Sequence, residues 1–285
     1  MIKHIICFGE VLWDMLPSGK VAGGAPMNVA FRLKEFKQDV RLFTAIGKDA
    51  FGKELLNLLK DMKLSKDVHV SDHLPTGTVA VELDAAGNAS YTIVEGVAWD
   101  EIPAQNISTK PFQLIFGSLA LRSDLNRATI IKLIDQAQEV VFDINLRAPF
   151  YDWELINQFI LKAHLVKMND NEFDWICEQL NVNEKNCQAR LSKLNDYYPN
   201  KTWCVTKGEK GAEYFENGIH YQQTGFATKV IDTIGAGDAF LAALLHQRQL
   251  QSNPQDCLKF ACKIGSMVAG QKGASQALDL NLVGY

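Results

Sequence analysis

The sequence has little that would suit a membrane, a nucleic acid or an oxidising compartment. No run approaches the roughly 20 consecutive apolar residues that a bilayer-crossing helix needs. The apolar start of MIKHIICFGEVLWD passes at once into acidic and polar residues, with no small-residue cleavage site. Positive charge is not in excess: 29 Lys and Arg stand against 33 Asp and Glu, a formal net charge of −4. No nucleic-acid partner and no membrane partner is therefore expected, since neither finds a broad basic surface. The six cysteines, Cys7, Cys177, Cys187, Cys204, Cys257 and Cys262, contain no C-x-x-C pair. Neither a zinc ribbon nor a dithiol motif is suggested, and a reducing, cytoplasmic setting fits best. His69 and His73 have the spacing of two ligands on one helix face, but Pro75 and Gly77 follow and no third ligand is near. Internal repeats, low-complexity tracts and long linkers are also missing, so residues 1–285 are expected to form a single domain.

What the sequence does have is alternation. A buried-strand-like run from Ile2 to Phe8 leads to a helical stretch from Pro26 to Phe36, a strand from Val40 to Ile46 and a helix from Phe51 to Met62. The pattern resumes with strand Leu114 to Phe116, helix Leu125 to Ala137, strand Val140 to Asp143, helix Trp153 to Ala163 and strand Leu165 to Met168. Strand and helix in turn predict an α/β fold, a doubly wound, mostly parallel sheet with helices on both faces. Between the halves, Thr78 to Leu83 and Ser90 to Val94 flank Asp84-Ala85-Ala86-Gly87-Asn88, an antiparallel hairpin pattern. With Val11 to Leu16 it is expected to form a small β lid, built from about residues 11–22 and 77–100. A second hairpin, Ala212 to Phe215 and Ile219 to Gln222 around Asn217-Gly218, suits the far edge of the main sheet.

The most informative stretch is Asp232-Thr233-Ile234-Gly235-Ala236-Gly237-Asp238, followed by the helix-forming run Ala239 to Leu245. Glycines at Gly235 and Gly237 let backbone N–H groups converge, and the helix adds the positive end of its dipole, which together make an anion pocket. Asp238 in the first helical turn then stands where a base could take a proton from a hydroxyl attacking a phosphate. Its alternative role is simply to cap the helix. A dinucleotide fold is weaker, because the third glycine is missing and the motif lies far from the first strand. Gly47-Lys48-Asp49-Ala50-Phe51-Gly52-Lys53-Glu54 is one residue short of a P-loop, with Glu54 in place of the magnesium-holding hydroxyl, and helix packing explains it better.

With Gly23-Gly24-Ala25-Pro26-Met27-Asn28 near the start and Asp232 to Asp238 near the end, the chain resembles the ribokinase family of carbohydrate kinases. Phe8-Gly9-Glu10 with Asp14, Gly47-x-Asp49-x-x-Gly52, Asp143-x-Asn145-x-Arg147, Asn169-x-x-Glu172 and Thr206-x-Gly208 fall in the family's order. The resemblance implies a three-layer αβα sandwich with a β lid, and ATP-dependent phosphorylation of a small sugar. It makes Asp238 the catalytic base and the amides of Gly235, Ala236 and Gly237 the support of the transferring phosphoryl group. It puts the sugar against Asp14, Gly23, Gly24, Asn28 and Arg147, and ATP against Asn169, Thr206, Gly208 and the anion turn. Asn169 and Glu172 would organise Mg²⁺ through water. Potassium would be held by Asp232, Ile234, Val268, Gln271 and Gly273, largely through carbonyls.

Phe116-Gly117-Ser118-Leu119, the Phe142 to Arg147 segment and Ala98-Trp99-Asp100 resemble bacterial fructokinases most, so fructose is the first expectation for the sugar. A 2-keto-3-deoxygluconate kinase, a ribokinase and a non-catalytic sugar or nucleotide sensor are the alternatives. Cys262 stands where many relatives have asparagine near the nucleotide, and a homodimer through the lid is a further expectation.

Overall fold

The computed structural model describes residues 4–16, 19–83, 89–105, 107 and 110–279. The strands are β1 (His4–Phe8), β2 (Leu12–Leu16), β3 (Gly19–Gly23), β4 (Asp39–Gly47), β5 (Val68–Ser71), β6 (Gly77–Leu83), β7 (Ala89–Ile93), β8 (Phe112–Gly117), β9 (Glu139–Asp143), β10 (Leu165–Asn169), β11 (Thr202–Thr206), β12 (Ala212–Glu216) and β13 (Ile219–Gln223). The helices are α1 (Ala25–Glu35), α2 (Ala50–Asp61), α3 (Asp124–Ile134), α4 (Trp153–Lys162), α5 (Asp170–Gln179), α6 (Cys187–Tyr197), α7 (Ala236–Gln249) and α8 (Pro254–Ala269).

Nine strands form the main sheet in the order β13-β12-β11-β10-β9-β8-β1-β4-β5. From β11 to β5 every pairing is parallel, and β12 and β13 close one edge as the expected antiparallel hairpin. Strand side chains alternate between faces, so β1 sends Ile5 and Cys7 to one core and Ile6 and Phe8 to the other. The first core packs α1, α2, α7 and α8; the second packs α3, α4, α5 and α6 and holds the Phe116–Phe142 ring stack, with centroids 5.1 Å apart. Burial on both faces explains why these strands read as continuous apolar runs.

The lid is a separate four-stranded sheet, β3-β2-β6-β7, in which β2 pairs parallel to β6 and antiparallel to β3. It differs from expectation at one end. Residues Ala98–Glu101 form a 3-10 turn, and Ala98 and Trp99 are fully buried in the second core, where Arg122 lies over the Trp99 ring. They support the lid rather than belong to it. The turn Asp84 to Asn88 lies outside the described residues. Strand β5 had no counterpart in the sequence reading, being four residues with two of them, His69 and Val70, exposed. His69 therefore lies on a strand, and the His73 ring lies 3.0 Å from Glu101.

Candidate active site

In a doubly wound sheet, ligands collect at the carboxyl ends of the strands where the strand order reverses. Here the chain runs outward from β1 to β4 and later returns to β1's other side with β8. Gly9 and Glu10 follow β1, Asp143 ends β9, Asn169 ends β10 and Thr206 ends β11, all at that same end. Helices begin there as well, and two of them, α1 and α7, begin unusually. Six helices, α2 to α6 and α8, have a side chain at the N-cap accepting a backbone N–H in the first turn. The N-caps of α1 and α7 are Gly24 and Gly235, with φ of 124° and 77° and no side-chain cap. Both conformations suit glycine, and neither cap has a side chain to take the amides behind it; at α7 Ala236 N–H donates to the Thr233 carbonyl at 3.2 Å, and those of Gly237 and Asp238 face a ligand site.

The two open ends meet. Asn28 on α1 donates through Nδ2 to Oδ2 of Asp238 on α7 at 2.7 Å, and the Asn28 Oδ1 is buried without a partner. Asp238 is half-buried, and burial pushes its pKa up to about 6, offset in part by Lys167 and by the Asn28 bond and reinforced by Asp143. A carboxylate poised near neutrality, beside uncapped amides, has what a general base for a hydroxyl requires. Gly235 also needs its missing side chain for space, since a Cβ there would run into Ala274.

The sugar side is equally tight. Asp14 on β2 leans toward Gly23, where an added Cβ would lie 2.6 Å from Asp14 Oδ2, and burial raises the Asp14 pKa against the pull of Arg147. A Cβ on Gly24 would strike the Glu10 carbonyl oxygen. Arg147 is exposed at the mouth, donating to the Leu146 carbonyl at 2.9 Å while its charge acts on Glu10, Asp14 and Asp238. Asp14, Gly23, Gly24, Asn28, Arg147 and Asp238 are thus brought to one place.

Asn169 and Glu172 form a reciprocal capping box: Asn169 Oδ1 accepts from the Glu172 N–H at 2.9 Å and Glu172 Oε2 accepts from the Asn169 N–H at 2.8 Å. The other carboxyl oxygen of Glu172 accepts from Leu146 N–H at 2.8 Å, tying β10 to the Arg147 loop. Among the described residues no three His, Cys, Asp or Glu side chains cluster to hold a metal. Asn169 Oδ1 and both Glu172 oxygens already accept backbone N–H groups, so toward an Mg²⁺ ion the pair could act only through water and not as a protein cage. Thr206 lies beside Asn169 in the parallel register. Gly208 is not on the strand but opens an exposed 3-10 turn, Gly208–Lys210.

The carbonyl-bearing segments expected to hold potassium do come together. Asp232 accepts from Ile234 N–H and from Gly273 N–H, both at 2.9 Å, so one carboxylate joins the loop before α7 to the loop after α8. Val268 and Gln271 adjoin it: the Val268 carbonyl accepts from Gln271 N–H at 2.9 Å, and the Gln271 Oε1 is buried without a partner. Cys262 is only 5% exposed and packs within the first core.

Two residues of this site escaped the sequence reading. Glu10 was only a landmark there, yet its Oε1 accepts from Ala25 N–H at 3.1 Å, its Oε2 is buried without a partner, and burial pushes its pKa to about 7. Lys167 is the second, a buried lysine whose Nζ lies 2.9 and 3.1 Å from the two oxygens of Asp143. Its signal was present, a lysine between Val166 and Met168 in an apolar strand.

Comparison with known proteins agrees with this geometry. Residues 9–280 match the model of the pfkB family of carbohydrate kinases. The chain is 29% identical to fructokinase-2 of Solanum habrochaites, covering 96% of this chain and 92% of that protein. A double-mutant fructokinase from Vibrio cholerae, solved with fructose, ADP and potassium ion bound, superposes with a TM-score of 0.85 at 25% identity over 99% of this chain and 98% of that one. A sugar kinase of Pyrococcus horikoshii in complex with ATP gives a TM-score of 0.81 at 25% identity, covering 99% and 97% of the two chains.

Proposed function

Since the chain belongs to the pfkB family of carbohydrate kinases, we propose that its substrate is fructose, phosphorylated at the O6 primary hydroxyl by Mg-ATP. The observation that carries the reading is the Asn28–Asp238 bond, because it joins the double-glycine helix to the base at the open end of α7. The fructokinase relatives supply the choice of sugar.

In this reading the C6 hydroxyl approaches Asp238, which takes its proton as the oxygen bonds to the γ-phosphorus and the bond to the β-phosphate oxygen breaks. The amides of Gly235, Ala236 and Gly237 stabilise negative charge on the transferring group, a fixed field that needs no rearrangement during reaction. Asp14 and the Gly23-Gly24 backbone orient the sugar, and Arg147 closes the mouth with positive charge. Asn169 and Glu172 would hold Mg²⁺ through water, and the ion would supply positive charge to the phosphate oxygens. Potassium, held by carbonyls of the Asp232 and Gly273 loops, would brace the anion turn. Thr206 and Gly208 border the nucleotide. A homodimer through the lid sheet belongs to the same proposal, and a monomer in sedimentation at micromolar concentration would remove it.

The deciding experiment is an ADP-release assay with Mg-ATP across fructose, ribose, 2-keto-3-deoxygluconate, glucose and adenosine, each with and without potassium. Preference for fructose is expected. Turnover confined to another sugar would overturn the substrate, and binding without turnover would favour a sensor.

A further inference from the structure

One buried charge lies close to the catalytic turn with no role assigned so far, that of Lys167. Lys167 and Asp143 are direct partners across β10 and β9, and their side chains are only 7% and 5% exposed. Burying such a pair has a desolvation cost of several kcal/mol per ion, and apolar residues of similar volume commonly serve a core as well or better. Packing therefore does not account for it. Asp143 engages two of the three ammonium protons, and the third has no protein acceptor among the described residues. The ammonium also lies under the anion turn, since a Cβ on Gly237 would stand 3.3 Å from Nζ. Gly237 immediately precedes Asp238.

We propose that Lys167 is a positioning residue of the transfer step: clamped by Asp143 beneath Gly237, its charge keeps Asp238 a carboxylate, able to accept the hydroxyl proton. The inference rests on the kinase reading above. Asp238 is faced by Lys167 from β10, Asp143 from β9, Arg147 from the loop after β9, Asn28 from α1 and Glu10 from the turn after β1. Arg147 is exposed and screened, so Lys167 is the dry cation of the set. Both oxygens of Asp143 hold the buried ammonium, at 2.9 and 3.1 Å, so it is a paired charge. Asp143 acts on Asp238 in the opposite sense to Lys167.

That opposition gives a test that a merely structural pair would fail. The pH dependence of kcat is measured at saturating sugar and Mg-ATP for the wild type, Lys167→Met, Lys167→Arg and Asp143→Asn, and thermal melting checks that each variant folds. Titration of the nucleotide is common to all four and cancels in the comparison. Lys167→Met is expected to move the acid limb up by about one pH unit or more, a roughly tenfold loss on that limb, with sugar KM nearly unchanged. Lys167→Arg should restore the limb, and Asp143→Asn, which keeps an oxygen for the ammonium, should move it down. A folded Lys167→Met with an unmoved limb, or an equal loss at every pH, overturns the proposal. Should that variant not fold, an unmoved or raised limb in Asp143→Asn overturns it instead. Inactivity of the wild type on every sugar would sink the proposed function, an outcome distinct from these.

Discussion

The helices of this protein start in two ways. At α2, for example, Asp49 accepts from Gly52 N–H at 2.7 Å, and at α6 Asn186 accepts from Ala189 N–H at 2.8 Å. These ends are closed by their own sequence, as is the start of α5 within the site. At α1 and α7 a glycine stands where the cap would be; at α7 Ala236 N–H turns back to the Thr233 carbonyl at 3.2 Å, and the amides of Gly237 and Asp238 are left for something else. At α1 part of that demand is met from a distance, by Glu10 on Ala25 N–H. The contrast separates stability from activity within one fold: capped ends stabilise helices, whereas glycine ends keep backbone donors for a ligand.

The sharpest way to break the comparison is Asp238→Asn, which leaves the open end of α7 intact but removes the base. Turnover should fall by about 100-fold or more, while calorimetry still detects sugar and ATP binding. Near-normal turnover would take Asp238 out of the base role. Gly235→Ala changes the open end itself. Its positive φ and the collision with Ala274 should distort the anion turn and lower kcat by about tenfold or more, read in the same ADP-release assay. Next in size comes pH. Because Asp238 must be ionised to accept a proton and its pKa is raised to about 6, kcat should rise with pH through that value and be lost below it. A rate still flat at pH 5 would contradict the assignment. The smallest effect is at a closed end: Asn186→Ala should cost about 1 kcal/mol in urea unfolding and change kcat far less than either variant above. Lost activity there would blur the distinction.

The sequence pattern marks these helix ends well. Asn169-x-x-Glu172 reads as a helix start and is one, and Gly235-Ala236-Gly237-Asp238 reads as an anion turn at a helix start. Boundaries fell within three residues for the elements delimited between Ile2 and Met168, because apolar period and cap chemistry are local, whereas α6 and α8 had no counterpart in the sequence pattern drawn above. The short elements were harder. Strand β5 has too few residues for a period, and Trp99 looked like lid material because the burial of an aromatic depends on what packs over it, here Arg122.

By itself, then, the sequence determined where backbone donors are left open, which aspartate stands beside them and which family the motifs resemble. All of these are set by neighbours within a few positions. Only the tertiary structure decided what surrounds that aspartate. Asn28 reaches Asp238 across 210 residues of chain, and Lys167 meets Asp143 across 24. Such pairs depend on strand register and on the crossing of helices, which fold topology sets. Those distant groups act on Asp238 in opposite senses, Lys167 and Asn28 lowering its pKa and Asp143 raising it.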